Sequence, residues 1–248
     1  MLFLEHGLFG TKHLIIIAIC AILIVLGAIF SKKLNLKTMV DILFIVGLIS
    51  ETIKIVYYIL ANEATHGGYL PKTDLPFHLC SMQIIFFAIL KYSNSEKLKK
   101  ALLSFMLPSC LFGGIAAILI ATNSARNGGY ILSLQYFLYH VAISVFALHI
   151  LRSKEIKWTI KDYFTCIKLL LFFGLISIYL NSWISYGDLE INFMYTVKAP
   201  QPGLPYLNTD HGWGVYMIHY GALAITLMST LYIKPIISFF KERKNKSE

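Results

Sequence analysis

Several ionisable or nucleophilic residues lie inside stretches of this sequence that are otherwise apolar. These residues are the Glu51 and Lys54 pair, Cys80, His140 and His219. If the stretches cross a membrane, each polar group costs free energy unless it is paired or faces a cavity. Such groups indicate a functional site, although an ion pair that locks helix packing, a packing cysteine or a structural histidine would also explain them.

Spacing along a helix decides which of these side chains can meet. Glu51 and Lys54 are three residues apart, so they share a helix face and can neutralise each other, in a structural or a functional role. His78 and Cys80 are two residues apart and point about 200° away from each other on a regular helix. Cys80 therefore needs a base from another helix, whereas Gln83, three residues on, shares its face and can hold an oxyanion or a substrate polar group.

The expected depth of each histidine in the membrane indicates which of them can act as the base for Cys80. At a rise of about 1.5 Å per residue, His140 and Glu51 should both lie roughly 15 Å below the outer boundary, with His219 slightly higher. Cys80 should lie about one turn into its span, which we expect to begin near Pro76. His140 is the first candidate base and His219 the second. A cysteine activated by a histidine is suited to acyl transfer, because the thiolate attacks an ester carbonyl and the imidazolium protonates the leaving group.

Seven apolar stretches must position these groups, and each is near the length of about 20 residues that crosses a bilayer core. They are residues 12–31, 39–61, 76–92, 99–121, 131–152, 160–183 and 212–240. At 57% hydrophobic residues and 14% charged residues, the 248 residues leave little room for a soluble domain. We therefore expect one all-α domain over residues 1–248, a bundle of seven transmembrane helices in which the first apolar stretch is retained rather than cleaved.

The basic residues divide unequally between the two sides of this bundle. Of the 22 lysines and arginines, 15 fall in the loops 31–38, 91–100 and 152–161 and in the tail, four fall in the opposite loops, and three fall within spans. By the positive-inside rule the basic side is cytoplasmic, so we expect the N-terminus outside and the C-terminus in the cytoplasm of a multi-pass cell-membrane protein. The net charge of +9 then needs no nucleic-acid partner.

The remaining motifs narrow the chemistry. The long outer loops, 62–75 and 184–211, are suited to lids or binding surfaces. Cys20, Cys80, Cys110 and Cys166 have no CxxC spacing, so neither a disulfide framework nor a zinc knuckle is indicated. No glycine-rich phosphate loop or HExxH run supports a nucleotide or metal cofactor. A metal site using His211 and His219 with His66 or His78 is the weaker alternative, because a spacing of eight residues does not give the i, i+4 pairing.

Three segments carry a resemblance to a known family. The segments Leu75–Cys80, Gln135–His140, and Asn192–Tyr195 with the run ending in Lys198–Pro200 resemble, in the same order, the YwaF-like family of bacterial integral membrane proteins. That family is distantly similar to a vertebrate multi-pass enzyme that remodels ether phospholipids by acyl transfer, in which an intramembrane cysteine and histidine are implicated. The resemblance maps these two onto Cys80 and His140. The chain departs from the family pattern at Asn208–Gly214, where a proline- and tryptophan-rich approach to the last span is expected.

Two functions from different classes follow. The first is a lipid acyltransferase or transacylase acting on membrane phospholipids near the outer leaflet, with Cys80 as nucleophile and His140 as base. The residues expected to support it are His78, Gln83, Glu51, Lys54, Gln135, Asn192 and His219. The second is a non-enzymatic proton-coupled carrier or sensor in which Glu51, Lys54, His140 and His219 form a relay. Only the first has a use for the cysteine, and the sequence does not identify protein partners, acyl donor or acceptor.

Overall fold

The polypeptide folds into α-helices joined by short loops and one long outer segment. Its computed structural model describes residues 8–61, 69–122, 125–126, 129–154, 156–186, 190–201, 203–204 and 206–245. Within these ranges there are eight α-helices and no β-strand. In chain order they are α1 (Thr11–Phe30), α2 (Leu36–Val56), α3 (Leu79–Tyr92), α4 (Glu96–Leu119), α5 (Tyr130–Arg152), α6 (Ile160–Ile184), α7 (Trp213–Leu231) and α8 (Ile233–Asn245).

Each apolar stretch predicted from the sequence overlaps at least one of these helices, which confirms the all-α class. Among the described residues, five helices are long and apolar enough to cross a membrane: α1 with its 3-10 extension to Lys33, α4, α5, α6 and α7. Helix α3 is apolar but has only 14 residues. Helix α2 has 21 residues, and its four charged residues, Lys37, Asp41, Glu51 and Lys54, are spread along the helix instead of being confined to one end as in α4.

The last predicted span, 212–240, is wrong as a single element, because it contains two helices. Helix α7 ends at Leu231 and α8 begins at Ile233, with Tyr232 between them at φ −102° and ψ 15°. Pro235 explains the break, since a proline inside a continuous helix would remove one backbone hydrogen bond and its ring would clash with the carbonyl of Leu231. The break leaves Pro235 within the first turn of α8, where the amide has no intrahelical acceptor.

The start of the third span also differs from the prediction. Helix α3 begins at Leu79, so Pro76 precedes the helix instead of lying in its first turn. His78 is the N-cap residue in an extended conformation, with φ −69° and ψ 148°. Because His78 lies outside the helix, the 200° separation expected between His78 and Cys80 does not apply.

Helices α4 and α5 form the centre of the bundle and pack against each other more extensively than any other pair. Their close approach depends on Gly114, where an added Cβ would lie 2.3 Å from the Ser144 Oγ atom. Pro108 lies inside α4 and has no N–H group to donate to the carbonyl of Ser104. The Tyr232 hydroxyl donates to that carbonyl instead, at 2.8 Å, and so joins the C-terminal end of α7 to the centre of the bundle.

Candidate active site

A cavity of about 510 Å³ lies among α2, α3, α4, α5, α6 and α7, a volume within the range of small-molecule sites. It brings together most of the residues predicted from the sequence. Seven of the nine line it: Glu51, Lys54, His78, Cys80, Gln135, His140 and Asn192. Gln83 and His219 are not in its wall.

The His140 ring is held in one orientation and one tautomer. Its Nδ1 atom lies 2.7 Å from the carbonyl oxygen of Tyr136, one turn earlier in α5, and a carbonyl only accepts, so Nδ1 carries the proton. The Tyr136 ring packs against the imidazole with 4.2 Å between centroids. The Nε2 atom is therefore the one with a free lone pair. It is buried without a hydrogen-bond partner, in a side chain that is 3% exposed.

Cys80 faces the cavity from the first turn of α3. It is the only one of the four free cysteines that is partly accessible; Cys20, Cys110 and Cys166 are buried. Its carbonyl accepts a hydrogen bond of 2.9 Å from the hydroxyl of Tyr139, the neighbour of His140, so α3 and α5 are linked at the level of the two candidate residues. The N-cap residue of α3, His78, makes no side-chain capping hydrogen bond to the first turn of the helix.

The Cys80 thiol and the His140 imidazole line the same cavity without touching. Because Nε2 of His140 has no hydrogen-bond partner, no thiol hydrogen bond reaches it in this conformation. Catalytic hydrogen bonds are often long in the absence of substrate and shorten when substrate binds. The arrangement places a thiol and an imidazole of fixed tautomer in the wall of one cavity.

A charged group forms the polar part of the cavity wall. The Lys54 Nζ atom lies 2.9 Å from Glu51 Oε1, which confirms the predicted ion pair. The same ammonium donates to the backbone carbonyl of Asp74 at 2.8 Å. Asp74 also lines the cavity, and its side chain was not among the predicted site residues. The loop before α3 is thus fixed to the outer end of α2 by Lys54.

Gln135 and Asn192 line the cavity but already have protein partners. The Gln135 amide donates to Ser50 Oγ at 2.5 Å, which joins α5 to α2. Asn192 donates to the carbonyl of Lys198 at 2.8 Å and accepts from the amide of Val197 at 3.0 Å. Both side chains therefore stabilise the cavity wall in this conformation.

Gln83 is fully buried between α3 and α4. Its amide donates to the carbonyl of Leu79 and to Ser109 Oγ, both at 3.1 Å, and its oxygen accepts from the Cys110 thiol at 3.2 Å. These contacts hold the two helices together and direct the side chain away from the cavity. Gln83 is therefore outside the cavity wall in this conformation, and its predicted role toward a substrate stays a prediction.

His219, the second candidate base, lies outside the cavity wall. Its Nδ1 atom is 3.0 Å from the carbonyl oxygen of Tyr206 at an exposed position on α7. For the alternative metal site, His66 lies outside the described residues. No group of three histidine, cysteine or acidic residues within the described part of the chain is arranged to hold a metal ion.

An outer segment, residues 190–201, closes one side of the cavity, and we call it the outer strap. Asn181 on α6 accepts from the amide of Phe193 at 2.7 Å and donates to its carbonyl at 3.1 Å. The Phe193 ring packs edge-on against His78, with 5.2 Å between centroids. Met194 and Tyr195 follow with φ of 53° and 54°, a conformation that non-glycine residues adopt rarely and chiefly at functional sites.

Apart from Asn192, the strap residues in the cavity wall and the α6 anchors of the strap were not among the predicted site residues. Tyr195 lines the cavity, and burial raises the pKa of its phenol, so the hydroxyl stays protonated and can donate to a ligand. Asn181 and Ser177 are polar residues within an apolar span, and that signal could have identified the anchor. Tyr139 had no comparable signal, because a tyrosine in a span is common at any depth.

The match to a known protein family covers nearly the whole chain. A family model described as the TMEM164 family matches residues 8–232, which include every residue of the cavity wall. No curated protein and no solved structure matches the chain. The resemblance to YwaF-like proteins thus stays a prediction. Because the family match covers far more than half of the sequence, the chain belongs to the TMEM164 family, a multi-pass membrane family.

Proposed function

We propose that this protein is an integral membrane lipid acyltransferase or transacylase in which Cys80 is the nucleophile and His140 the general base. One observation carries the proposal. The Nε2 atom of His140 presents a lone pair without a partner in the wall of a largely apolar cavity that Cys80 also lines. A buried polar atom without a partner costs about 1–3 kcal/mol, which a structural histidine would avoid by finding a donor.

The proposed reaction takes two steps. In the first, Nε2 of His140 takes the thiol proton of Cys80 and the sulfur attacks the ester carbonyl of a donor phospholipid. The ester C–O bond breaks, His140 returns the proton to the departing lysolipid oxygen, and the acyl group remains on Cys80 as a thioester. In the second, Nε2 takes the proton of an acceptor hydroxyl, whose oxygen attacks the thioester. The sulfur leaves and is reprotonated.

In the proposed topology the protein crosses the membrane seven times, with the N-terminus outside and the C-terminus in the cytoplasm. Five crossings correspond to long apolar helices, and α2 and α3 supply the other two. The 21 residues of α2 are long enough to cross at about 1.5 Å per residue, and its charges at Glu51 and Lys54 are paired. The 14-residue α3 crosses only together with the extended segment before it, which packs against the outer strap.

The decisive experiment measures acyl transfer by the purified protein in lipid nanodiscs. Cys80→Ala and His140→Ala should each abolish transfer of a labelled acyl chain from phosphatidylcholine to a lysophospholipid. Cys20→Ala is the matched control, because Cys20 is buried on α1, which contributes no residue to the cavity wall, and this variant should retain activity. Intact-mass analysis should detect an acyl group on the wild type and not on Cys80→Ala. Unchanged transfer by Cys80→Ala would exclude the nucleophile assignment.

A proton-coupled carrier or sensor is the second candidate, and the charged pair favours it. Glu51 and Lys54 share the cavity wall with His140, as a relay would require. This function has no need of Cys80. If Cys80→Ala keeps full cellular function while Glu51→Gln and His140→Ala lose it, the relay replaces the acyltransferase.

A further inference from the structure

Helix α7 is joined to the rest of the protein near its two ends. At the outer end, the indole of Trp213 donates to the carbonyl of Thr196 at 2.8 Å. One to two turns further, the Tyr220 hydroxyl donates to the carbonyl of Met194 at 2.9 Å. These bonds attach the first half of α7 to the outer strap.

The inner end has a separate set of contacts, to α6 and α4. Met228 meets the Cys166 thiol at 3.7 Å between sulfur atoms, and Ser229 shares a hydrogen bond of 2.8 Å with the Tyr163 hydroxyl. Tyr232 is fully buried and donates to the freed carbonyl of Ser104. Met228 and the residues after it therefore close the inner end of the space beside α7.

Between these attachments the cavity continues as a slot beside α7. Leu223, Ala224 and Leu227 line it from α7, and Leu170 lines it from α6. On the α4 side, an added Cβ at Gly113 would meet nothing within 4 Å. From Tyr220 to Met228 the slot runs about 12 Å, enough for roughly ten bonds of an extended chain. The polar groups of the wall, Glu51, Lys54, Asp74 and His140, come from other elements.

We infer that this slot holds the acyl chain of a membrane lipid, and that Ala224 and Leu227 determine the chain length it accepts. The inference rests on the proposed acyl transfer and names the part of the substrate that the slot recognises. A lipid fits the polarity of the cavity, because its ester would lie beside Cys80 and His140 while its apolar chain follows α7 toward Met228. The unpartnered Nε2 of His140 marks where the polar part of such a ligand belongs.

Two alanines on α7 provide a matched test. Ala224 lines the slot, whereas Ala222 is exposed on α7 and outside the cavity wall. Ala224→Phe should fill the slot, and Ala222→Phe should add the same side chain outside it. Each methylene that no longer fits weakens retention of a long chain by about fourfold. Leu227→Ala should act in the opposite direction and favour longer chains.

The measurement is the acyl-chain profile of lipids extracted from each purified full-length variant, together with acyl transfer from phosphatidylcholines of graded chain length. Ala224→Phe should shift both profiles to shorter chains, with Ala222→Phe matching the wild type. Identical bound-lipid profiles for Ala224→Phe and Ala222→Phe would overturn the inference. If Ala224→Phe fails to fold, an unchanged bound-lipid profile for Leu227→Ala would overturn it instead. A shifted bound-lipid profile in a protein without transferase activity would support the slot and refute the proposed reaction.

Discussion

Two adjacent glycines in α4 have opposite surroundings, so the same substitution should have opposite effects at the two positions. Gly113 lines the cavity, and a Cβ added there would meet nothing within 4 Å. At Gly114 an added Cβ would lie 2.3 Å from Ser144 Oγ and 3.0 Å from the backbone carbonyl oxygen of His140. Gly113 borders open space, whereas Gly114 allows α4 to approach α5 beside the candidate base.

The expected free-energy changes follow from these contacts. Replacing a helical glycine with alanine removes backbone freedom from the unfolded chain and is worth about 0.5–1 kcal/mol. Gly113→Ala should therefore raise stability by up to about 1 kcal/mol. Gly114→Ala gains the same amount but adds overpacking of about 1–3 kcal/mol against a backbone atom that cannot rotate away, for a net loss of up to about 2.5 kcal/mol.

Gly113 also lies at the level of the proposed chemistry. The hydrogen bond between Gln83 and Ser109 aligns α3 with α4. Because the two helices are antiparallel neighbours, Cys80, three residues before Gln83, lies beside Gly113, four residues after Ser109. A leucine at Gly113 should enter the space that a substrate ester needs. Gly113→Leu should therefore keep the fold and reduce acyl transfer by at least about tenfold, the effect of losing 1.4 kcal/mol of productive binding.

The assay is reversible unfolding in mixed micelles, paired with acyl transfer in nanodiscs. Gly174→Leu on α6 is the control, because an added Cβ there also meets nothing within 4 Å and Gly174 is outside the cavity wall. It should leave transfer unchanged. If Gly113→Ala destabilises the protein as much as Gly114→Ala does, the space beside Gly113 is filled in the folded protein and the reasoning fails.

Three further predictions concern the walls and the orientation of the bundle. Lys54→Met should lower the free energy of unfolding by about 1–3 kcal/mol, because it leaves Glu51 without its cation. Replacing both Glu51 and Lys54 with apolar residues should cost less. Additive losses in a double-mutant cycle would show that the pair does not interact. Asn181→Ala should cost about 1–3 kcal/mol by leaving the Phe193 amide without its acceptor, and hydrogen exchange at the strap should rise; unchanged protection would show that another group holds the strap. Reporter fusions after Lys33 should be cytoplasmic and those at Gly203 outside, and an inverted result would refute the proposed topology.

The helices were predictable because each apolar stretch must satisfy its own backbone hydrogen bonds in a membrane. The predicted start of the sixth span, residue 160, agrees with α6, where Thr159 and Asp162 form a capping box. The error at Pro76 has a physical reason. A proline is tolerated in a first turn but does not require one, and here the extended segment before Leu79 is held by contacts with the strap that the sequence pattern does not contain.

The cavity was only partly predictable. Depth alone placed His140 and Glu51 together, and the structure puts both in one wall. The loop 184–211 was predicted as a lid or binding surface, but its turn at Phe193 was not, because that turn depends on Asn181, twelve residues away, and on the Tyr220 hydroxyl of α7. The partners of Gln83 were not predictable for a related reason, since a shared helix face with Cys80 did not reveal that Ser109 and Cys110 would bind its amide.

The hydrogen-bond and ion-pair partners of the polar groups distinguish the structural side chains of this bundle from the candidate catalytic ones. Lys54 binds Glu51 and the carbonyl of Asp74, Gln135 binds Ser50, and Asn181 binds the strap. Each of these contacts offsets the cost of placing a polar group in an apolar bundle. His140 is satisfied only at Nδ1, and its other nitrogen is left without a donor beside a cavity. In the proposed mechanism the missing donor is supplied during the reaction by the thiol of Cys80, which lines the same cavity.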